Sequence, residues 1–211
     1  MAEPRILILG GPGAGKGTQS RKASEEFNIK HITTGELLRA NKDRDISEFE
    51  SEYDVPRTYM DQGELVPDEV VTLLVKEALS QVNGFVLDGY PRNVEQAEEL
   101  NNMTDVDVIL YLDVDEEELV QRLTGRRIDP KTGDTYHIEY SPPEDPEVER
   151  RLEQRDDDTE ETVRERLRVF RETTEPVIEY YEERGQLERV DGKQSPDEVW
   201  VDVRKAVENA Q

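Results

Sequence analysis

The stretch RILILGGPGAGKGTQ, Arg5 to Gln19, constrains this chain more than any other. Ile6-Leu7-Ile8-Leu9 is a short uninterrupted apolar run, the pattern of a strand buried on both faces of a parallel sheet. The five glycines that follow cannot fill a core, but they can bring backbone N–H groups close to a bulky anion. Gly10 with Gly15-Lys16 five and six positions on, after a strand and before a helical pattern, reads as a phosphate-binding loop. Its amides wrap the phosphates, the helix N-terminus adds its positive end, and Lys16 reaches the β- and γ-phosphates. Gly13, Ala14, Gly15, Lys16, Gly17 and Thr18 are the candidates for that contact. Gly17 takes the place usually held by Ser or Thr, and the hydroxyl comes one residue later at Thr18. A magnesium ligand there does not follow from the motif alone.

Further apolar runs recur at 84–87, 106–112 and 187–190, with a shorter one at His31-Ile32. Helical patterns lie between them, over 15–27, 67–82, 93–102, 115–124, 159–184 and 196–210. Strand alternating with helix predicts a parallel α/β sheet. Ser195-Pro196-Asp197-Glu198 is a capping box with proline at the first helical position. Residues 40–66 and 125–158 break the alternation and read as insertions standing off the sheet.

Charge sets further limits: 27 basic against 51 acidic residues leave a net charge of −24. Such a chain repels nucleic acid and anionic membrane surfaces. No stretch approaches the roughly 18 apolar residues of a membrane span, and the first strand begins too soon for a signal peptide. The absence of cysteine excludes disulfides and thiolate metal sites. These features predict a soluble, cytoplasmic protein. The basic residues divide into 19 Arg and 8 Lys, a bias that fits a salt-rich cytoplasm in which added carboxylates keep a protein soluble.

The second cluster, GFVLDGYPRNVEQ, ends a strand at Asp88 and turns to Arg92. An Asp at the carboxyl end of a parallel strand lies where such sheets gather ligands, and it can hold Mg²⁺ directly or through water. Arg92 can grip a second phosphate with its fork. Plainer readings stand beside these: Asp88 as a turn residue, Arg92 as a surface ion pair, and Asn93-x-x-Gln96 as a helix cap with its reciprocal partner. Arg122 and Arg126 are spaced to share a helix face, and Arg155 and Arg166 are eleven apart, near three turns. His31 and His137 show no metal-ligand spacing and read as structural.

Together GGPGAGKGTQ, ITTGELLR (Ile32–Arg39), DGYPRNVEQ (Asp88–Gln96), RLTGRR (Arg122–Arg127) and RDDDTEETVRERL (Arg155–Leu167) resemble the adenylate kinase family in its long-lid form, over essentially the whole chain. The resemblance implies a P-loop core over 1–32, 67–124 and 159–211, with a five-stranded parallel sheet flanked by helices. It implies a nucleoside-monophosphate-binding insertion at 33–66 and a lid at 125–158. Thr34, Arg39, Arg92 and Gln96, with the Gly89-Tyr90-Pro91 turn and the backbone of Glu64, Leu65 and Val66, would then meet AMP. The glycine loop, Lys16, Arg122 and Arg126 would meet the ATP phosphates, and Thr135, Tyr136 and Gln194 the ATP adenine. Arg155 and Arg166 would bridge the transferring group. Some relatives fix the lid with zinc through cysteines, which this chain lacks. Asp129, Thr132 and Asp145 occupy the corners of a polar alternative, and Val148 replaces a hydroxyl member.

The implied reaction is ATP plus AMP giving two ADP, with Mg²⁺ held by water near Asp88 and Thr18, in a monomer whose partners are ATP, AMP and ADP. Lys16, Asp88, Arg92, Arg126, Arg155 and Arg166 form its catalytic set. Two other readings stand open: a kinase for GMP or for UMP and CMP, since a rotated Gln96 amide matches either purine edge, and a P-loop nucleotide switch.

The charge carries a prediction of its own. At about 0.01 M salt the Debye length is roughly 30 Å, so carboxylates across the whole surface repel one another; at about 1 M it is roughly 3 Å. Thermal melts from dilute buffer to molar KCl should show a substantial rise in melting temperature, with Michaelis constants rising alongside. A flat profile, or a maximum in dilute buffer, would make the acidic surface incidental.

Overall fold

The computed structural model of the protein describes residues 3–49, 51–62, 64–155 and 157–210. Positions 1, 2, 50, 63, 156 and 211, which fall within the expected units, lie outside the described residues. Strand β1 (Arg5–Gly10) is buried from Ile6 onward. It leads through the glycine loop into α1 (Lys16–Phe27), β2 (Lys30–Thr33) and α2 (Thr34–Ala40). Next come α3 (Pro56–Gln62), α4 (Asp68–Leu79), β3 (Phe85–Asp88), α5 (Val94–Met103), β4 (Val108–Asp113) and α6 (Glu116–Thr124). A small antiparallel pair, β5 (Arg126–Ile128) and β6 (Thr135–His137), precedes α7 (Pro146–Glu149). The chain ends with α8 (Glu160–Thr173), α9 (Glu175–Glu182), β7 (Leu187–Asp191) and α10 (Pro196–Ala210).

Five strands form one parallel sheet in the order β2-β3-β1-β4-β7, the expected α/β architecture. Alternate residues of β1 divide between the faces. Leu7 and Leu9 pack with Val70, Leu74, Leu100 and Tyr181 from α4, α5 and α9. Ile6 and Ile8 pack with Ala23, Leu123, Val163 and Val203 from α1, α6, α8 and α10. A strand covered on both sides has no polar face, which is why the run is uninterrupted. Register sets the position of the site: Ile8 pairs with Asp88 and Thr33 pairs with Asp88, so β1, β2 and β3 reach the same edge together. The capping box at α10 forms, Ser195 N–H donating to Glu198 Oε2 at 3.1 Å and Glu198 N–H to Ser195 Oγ at 3.4 Å.

Three spacing-based expectations fail. The helical pattern over 159–184 is two helices, broken at Thr174, because Pro176 has no N–H to continue α8. Arg122 and Arg126 do not share a helix face: α6 ends at Thr124, Gly125 caps it, and Arg126 begins β5. A Cβ on Gly125 would run into the His137 ring. That ring fastens β6 to the end of α6. Its Nδ1 accepts the N–H groups of Glu139 (3.1 Å) and Tyr140 (3.0 Å), which leaves its proton on Nε2, 3.3 Å from Gln121 O. Likewise Arg155 precedes α8, so helical spacing does not relate it to Arg166.

The 125–158 segment is pinned by a buried carboxylate. Arg151 donates to Asp129 through Nε (2.7 Å) and Nη2 (2.6 Å), and Lys131 N–H adds a third bond at 2.9 Å. Asp145 instead caps α7 through Glu147 N–H, and Thr132 Oγ1 accepts Asp134 N–H at 3.2 Å. Arg151, absent from the expected corner set, pairs with Asp129 and lies in the field of Asp145. Its guanidinium holds the Asp129 carboxyl well below the usual carboxylate range. A depressed carboxylate contributes stability above its unfolded pKa and loses it as pH falls toward the folded value. At neutral pH, Asp129→Asn should therefore speed amide exchange at Ile128 and Glu153, which bond each other, and leave the five-stranded sheet unchanged. In strong acid parent and variant should converge. Equal exchange at neutral pH would contradict the pin.

Candidate active site

The glycine loop holds Gly13 and Gly15 at φ of +85° and +92°, the left-handed region that suits residues without Cβ. A Cβ at Gly13 would also press to 2.9 Å from Leu123, so the loop lies directly against α6. Lys16 folds over it, Nζ donating to the carbonyls of Gly10 (2.8 Å) and Gly11 (3.0 Å). Ala14 is buried, Gly17 and Thr18 are exposed, and Thr18 N–H returns to Gly15 O. Burial lowers the Lys16 pKa; Asp88 opposes, while Arg92 and Arg166 push the same way. The lysine thus lies in the field of all three.

Asp88 closes β3 with its side chain 14 % exposed. Among the described residues its carboxylate accepts no hydrogen bond; His31 Nε2 stands 4.0 Å from Oδ2, and a Cβ on Gly17 would lie 3.8 Å from the same oxygen. His31 Nε2 is itself buried without a partner, and burial lowers its pKa while Asp88 and Glu36 oppose. The space between loop and strand is thus lined by free hard oxygen, the donor type that suits Mg²⁺ or its bound water.

Arg92 follows the Gly89-Tyr90-Pro91 turn. Gly89 has φ +83°, and a Cβ there would press to 2.8 Å from Thr34 Oγ1. Tyr90 is fully buried, its hydroxyl 3.1 Å from Thr72 Oγ1, and Pro91 is buried behind it. Arg92 donates through Nε to Gly89 O (3.1 Å) and through Nη2 to Thr34 Oγ1 (3.2 Å). Among the described residues this guanidinium has no carboxylate partner. Water reaches part of it, yet the walls of the cleft desolvate its charge and lower its pKa against the more distant pull of Asp68 and Asp88. Gln96 is 2 % exposed. Its N–H does bond the Asn93 cap (2.9 Å), but its side-chain Oε1 takes Arg92 N–H (2.8 Å) rather than the Asn93 N–H of a reciprocal cap. Nε2 is left buried and unpartnered. A buried donor without an acceptor costs roughly 1–3 kcal/mol, which a ligand atom can recover.

The remaining arginines gather on carboxylates that sequence reasoning passed over. Arg126 forms a fork onto Asp158 (Nε 2.8 Å, Nη2 2.6 Å), an acid with no exposed surface, and Arg166 bonds Asp157 at 2.8 Å with Asp158 3.7 Å away. Arg155 is exposed and has no ion pair among the described residues; desolvation, Arg126 and Arg166 lower its pKa against Asp157 and Asp158. In a chain with 51 acids nothing marked Asp158 out, save that it sits inside the RDDDTEE stretch. Arg122 takes Glu118 at 2.8 Å, an ordinary i,i+4 pair.

Other candidates stand apart from this cluster. Arg39 is exposed without an ion pair among the described residues. Glu64 N–H bonds Tyr59 O, Leu65 is 75 % exposed and Val66 is buried. Thr135 and Tyr136 lie on β6, while Gln194 donates to Asp191 O and Asp202 between β7 and α10; no hydrogen bond or ion pair among the described residues joins them to the glycine loop. A cleft of about 820 Å³, lined by Met60, Gln62, Ile128 and Arg155, separates α3 from the 125–158 segment.

A phosphate loop on a parallel sheet, facing a second arginine wall across the strand ends, defines a P-loop nucleoside monophosphate kinase. The family model for adenylate kinase matches residues 8–186, and the chain belongs to that family. It is 59% identical over 210 residues to an adenylate kinase of Natronomonas pharaonis, covering all of both chains. It is 56% identical over 212 residues to one of Halobacterium salinarum, covering 99% of this chain and 98% of that one. To one of Archaeoglobus fulgidus it is 44% identical over 217 residues, covering 96% and 97%. The first two relatives come from halophilic archaea.

The locked Gln96 amide generates a direct test. Gln96→Ala should lower stability by about 1 kcal/mol through the lost Arg92 bond and flatten preference among monophosphates. Unchanged base preference, with only the stability loss, would make Gln96 a structural residue.

Proposed function

We propose that the chain transfers the γ-phosphoryl group of ATP to AMP, giving two ADP, reversibly and with Mg²⁺. The observation that carries this reading is Arg92, a cation whose fork rests on neutral oxygens with no carboxylate partner among the described residues, in the field of Lys16 on the glycine loop. A protein that bound one nucleotide would have no use for a second phosphate-seeking wall. Gln96 supports adenine as the acceptor base: its Oε1 already takes the Arg92 N–H, while the Nε2 donor is buried without a partner and suits the ring N1 acceptor of adenine rather than the N1–H of guanine.

In this reading 33–66 binds the monophosphate, 125–158 is the lid, and 1–32, 67–124 and 159–211 form the core. The glycine loop with Gly13, Ala14, Gly15, Gly17 and Thr18, together with Lys16, Arg122 and Arg126, holds the ATP phosphates; Thr135, Tyr136 and Gln194 take its adenine. Thr34, Arg39, Arg92 and Gln96 hold AMP, with the Gly89-Pro91 turn and Glu64-Val66 backbone around it. Mg²⁺ would be held through water facing the Asp88 carboxylate and the Thr18 hydroxyl, where it would neutralise charge on the β- and γ-phosphates. An AMP phosphate oxygen is anionic near neutral pH, so no protein base is required. Arg155 and Arg166 meet the charge that develops in transfer; positioning and neutralisation carry the rate. Closure of the lid keeps water from the γ-phosphate. The enzyme acts as a cytoplasmic monomer on free nucleotides; its net charge of −24 disfavours nucleic acid and membrane partners.

Lys16→Ala should cut turnover by orders of magnitude while circular dichroism stays that of the parent. Near-normal turnover would reject the phosphate-loop reading. A coupled assay with ATP and AMP, GMP, CMP and UMP in turn should give the highest specificity constant for AMP, and an equal or better value for another monophosphate would reject adenine selection.

A further inference from the structure

Arg92 is held from two directions. Its guanidinium and its N–H bond Gly89, Thr34 and Gln96, all on the β3–α5 and α2 side of the site. Its carbonyl is held from elsewhere: the Thr174 hydroxyl donates to Arg92 O at 2.9 Å, across 82 residues of chain. Thr174 is the joint between α8 and α9, with φ −105° and ψ −28°. Its N–H closes α8 on Phe170 O at 2.8 Å, and its carbonyl opens α9 by accepting Val177 N–H at 3.0 Å. A threonine preceding a helix ordinarily turns its side chain to the second or third N–H of that helix. Here the second position is Pro176, which has no N–H, and the third is Val177, already bonded to the Thr174 carbonyl; the side chain makes no cap bond. The hydroxyl, 3.3 Å from Thr173 Oγ1, is therefore not taken by its own helix and donates to Arg92 O. Arg166 lies eight residues earlier on α8, roughly 12 Å along its axis at about 1.5 Å per residue.

We propose that Thr174 is a positioning residue for the reaction: its hydroxyl fixes the Arg92 peptide, so that the acceptor-phosphate arginine is set in place by the same helix joint that anchors the Arg166 helix. This rests on the reading of Arg92 as a ligand of the acceptor phosphate. The hydroxyl touches no substrate; it acts through the main chain of Arg92, and removing it lets that peptide rotate while the glycine loop is untouched.

The test is steady-state kinetics of Thr174→Val, which keeps the β-branch and removes the donor, beside Thr174→Ser, which keeps the hydroxyl; Thr174→Ala supplies the same loss should the valine variant not fold. Thr174→Val should lower kcat/KM for AMP about three- to tenfold, as expected for one lost hydrogen bond, with KM for ATP within about twofold of the parent. Thr174→Ser should restore most of the loss. In an Arg92→Ala background, Thr174→Val should cause no further loss of AMP affinity by calorimetry, because the two act through one contact. Equal losses toward AMP and ATP, a serine variant no better than valine, or additive effects with Arg92→Ala would overturn the proposal. A parent chain without AMP-dependent turnover would overturn the functional reading itself, whereas an active parent with an unaffected valine variant overturns only the role of Thr174.

Discussion

Positive charges brought together without phosphate repel one another, and this constraint governs the site. Lys16, Arg92, Arg126, Arg155 and Arg166 act on one another across the strand ends. What lets them coexist is a small set of acids placed among them: Asp158, fully buried against Arg126 and near Arg166, Asp157 on Arg166, and Asp88 beside Lys16. Asp158 costs desolvation that only its two arginines offset; removing them would leave an uncompensated buried charge. Arg92 and Arg155 are left over, without carboxylate partners among the described residues. In the proposed reaction a phosphate would find these two without a carboxylate to displace, and would compete with Asp157 and Asp158 for Arg126 and Arg166. The surrounding −24 surface does not cancel this local excess, since ions screen it over about 10 Å at 0.1 M salt.

The sheet is what brings those charges to one place. Because β1, β2 and β3 are parallel and in register at Ile8, Thr33 and Asp88, the loops that leave them carry Lys16, Thr34 and Arg92 into one crevice. This is the edge at which open α/β sheets bind ligands. Arg126 and Arg155 come instead from the two ends of the 125–158 segment, whose own integrity rests on Asp129, Arg151 and the His137 fastening. Positioning of Arg126 and Arg155 is therefore conditional on a segment held by ion pairs and hydrogen bonds rather than by the main core.

The parts legible in sequence are those set by local chemistry. Runs such as Ile6–Leu9 and Phe85–Leu87 declare a doubly covered strand because every residue must be apolar. The glycine loop declares itself because left-handed backbone and close approach exclude other residues. What was illegible depends on contacts distant in sequence. Asp158 looked like one more acid in an acidic chain and Thr174 like part of a long helix, and no local pattern singled out Arg151. The Arg122 and Arg126 spacing misled because the four-residue interval runs through Gly125, the residue that ends α6 and starts the turn into β5. Gln96 was half legible: its cap with Asn93 follows from spacing, but the claim of Arg92 N–H on its Oε1 does not.

If charge and placement suffice, the phosphoryl group passes directly between two nucleotides bound at once, with no covalent stop on the protein. Initial rates measured over a grid of ATP and AMP concentrations test this most directly. Double-reciprocal lines that intersect, showing that both nucleotides must be bound before either ADP leaves, are the predicted result. Parallel lines, the mark of a phosphorylated enzyme formed before the acceptor binds, would contradict the account.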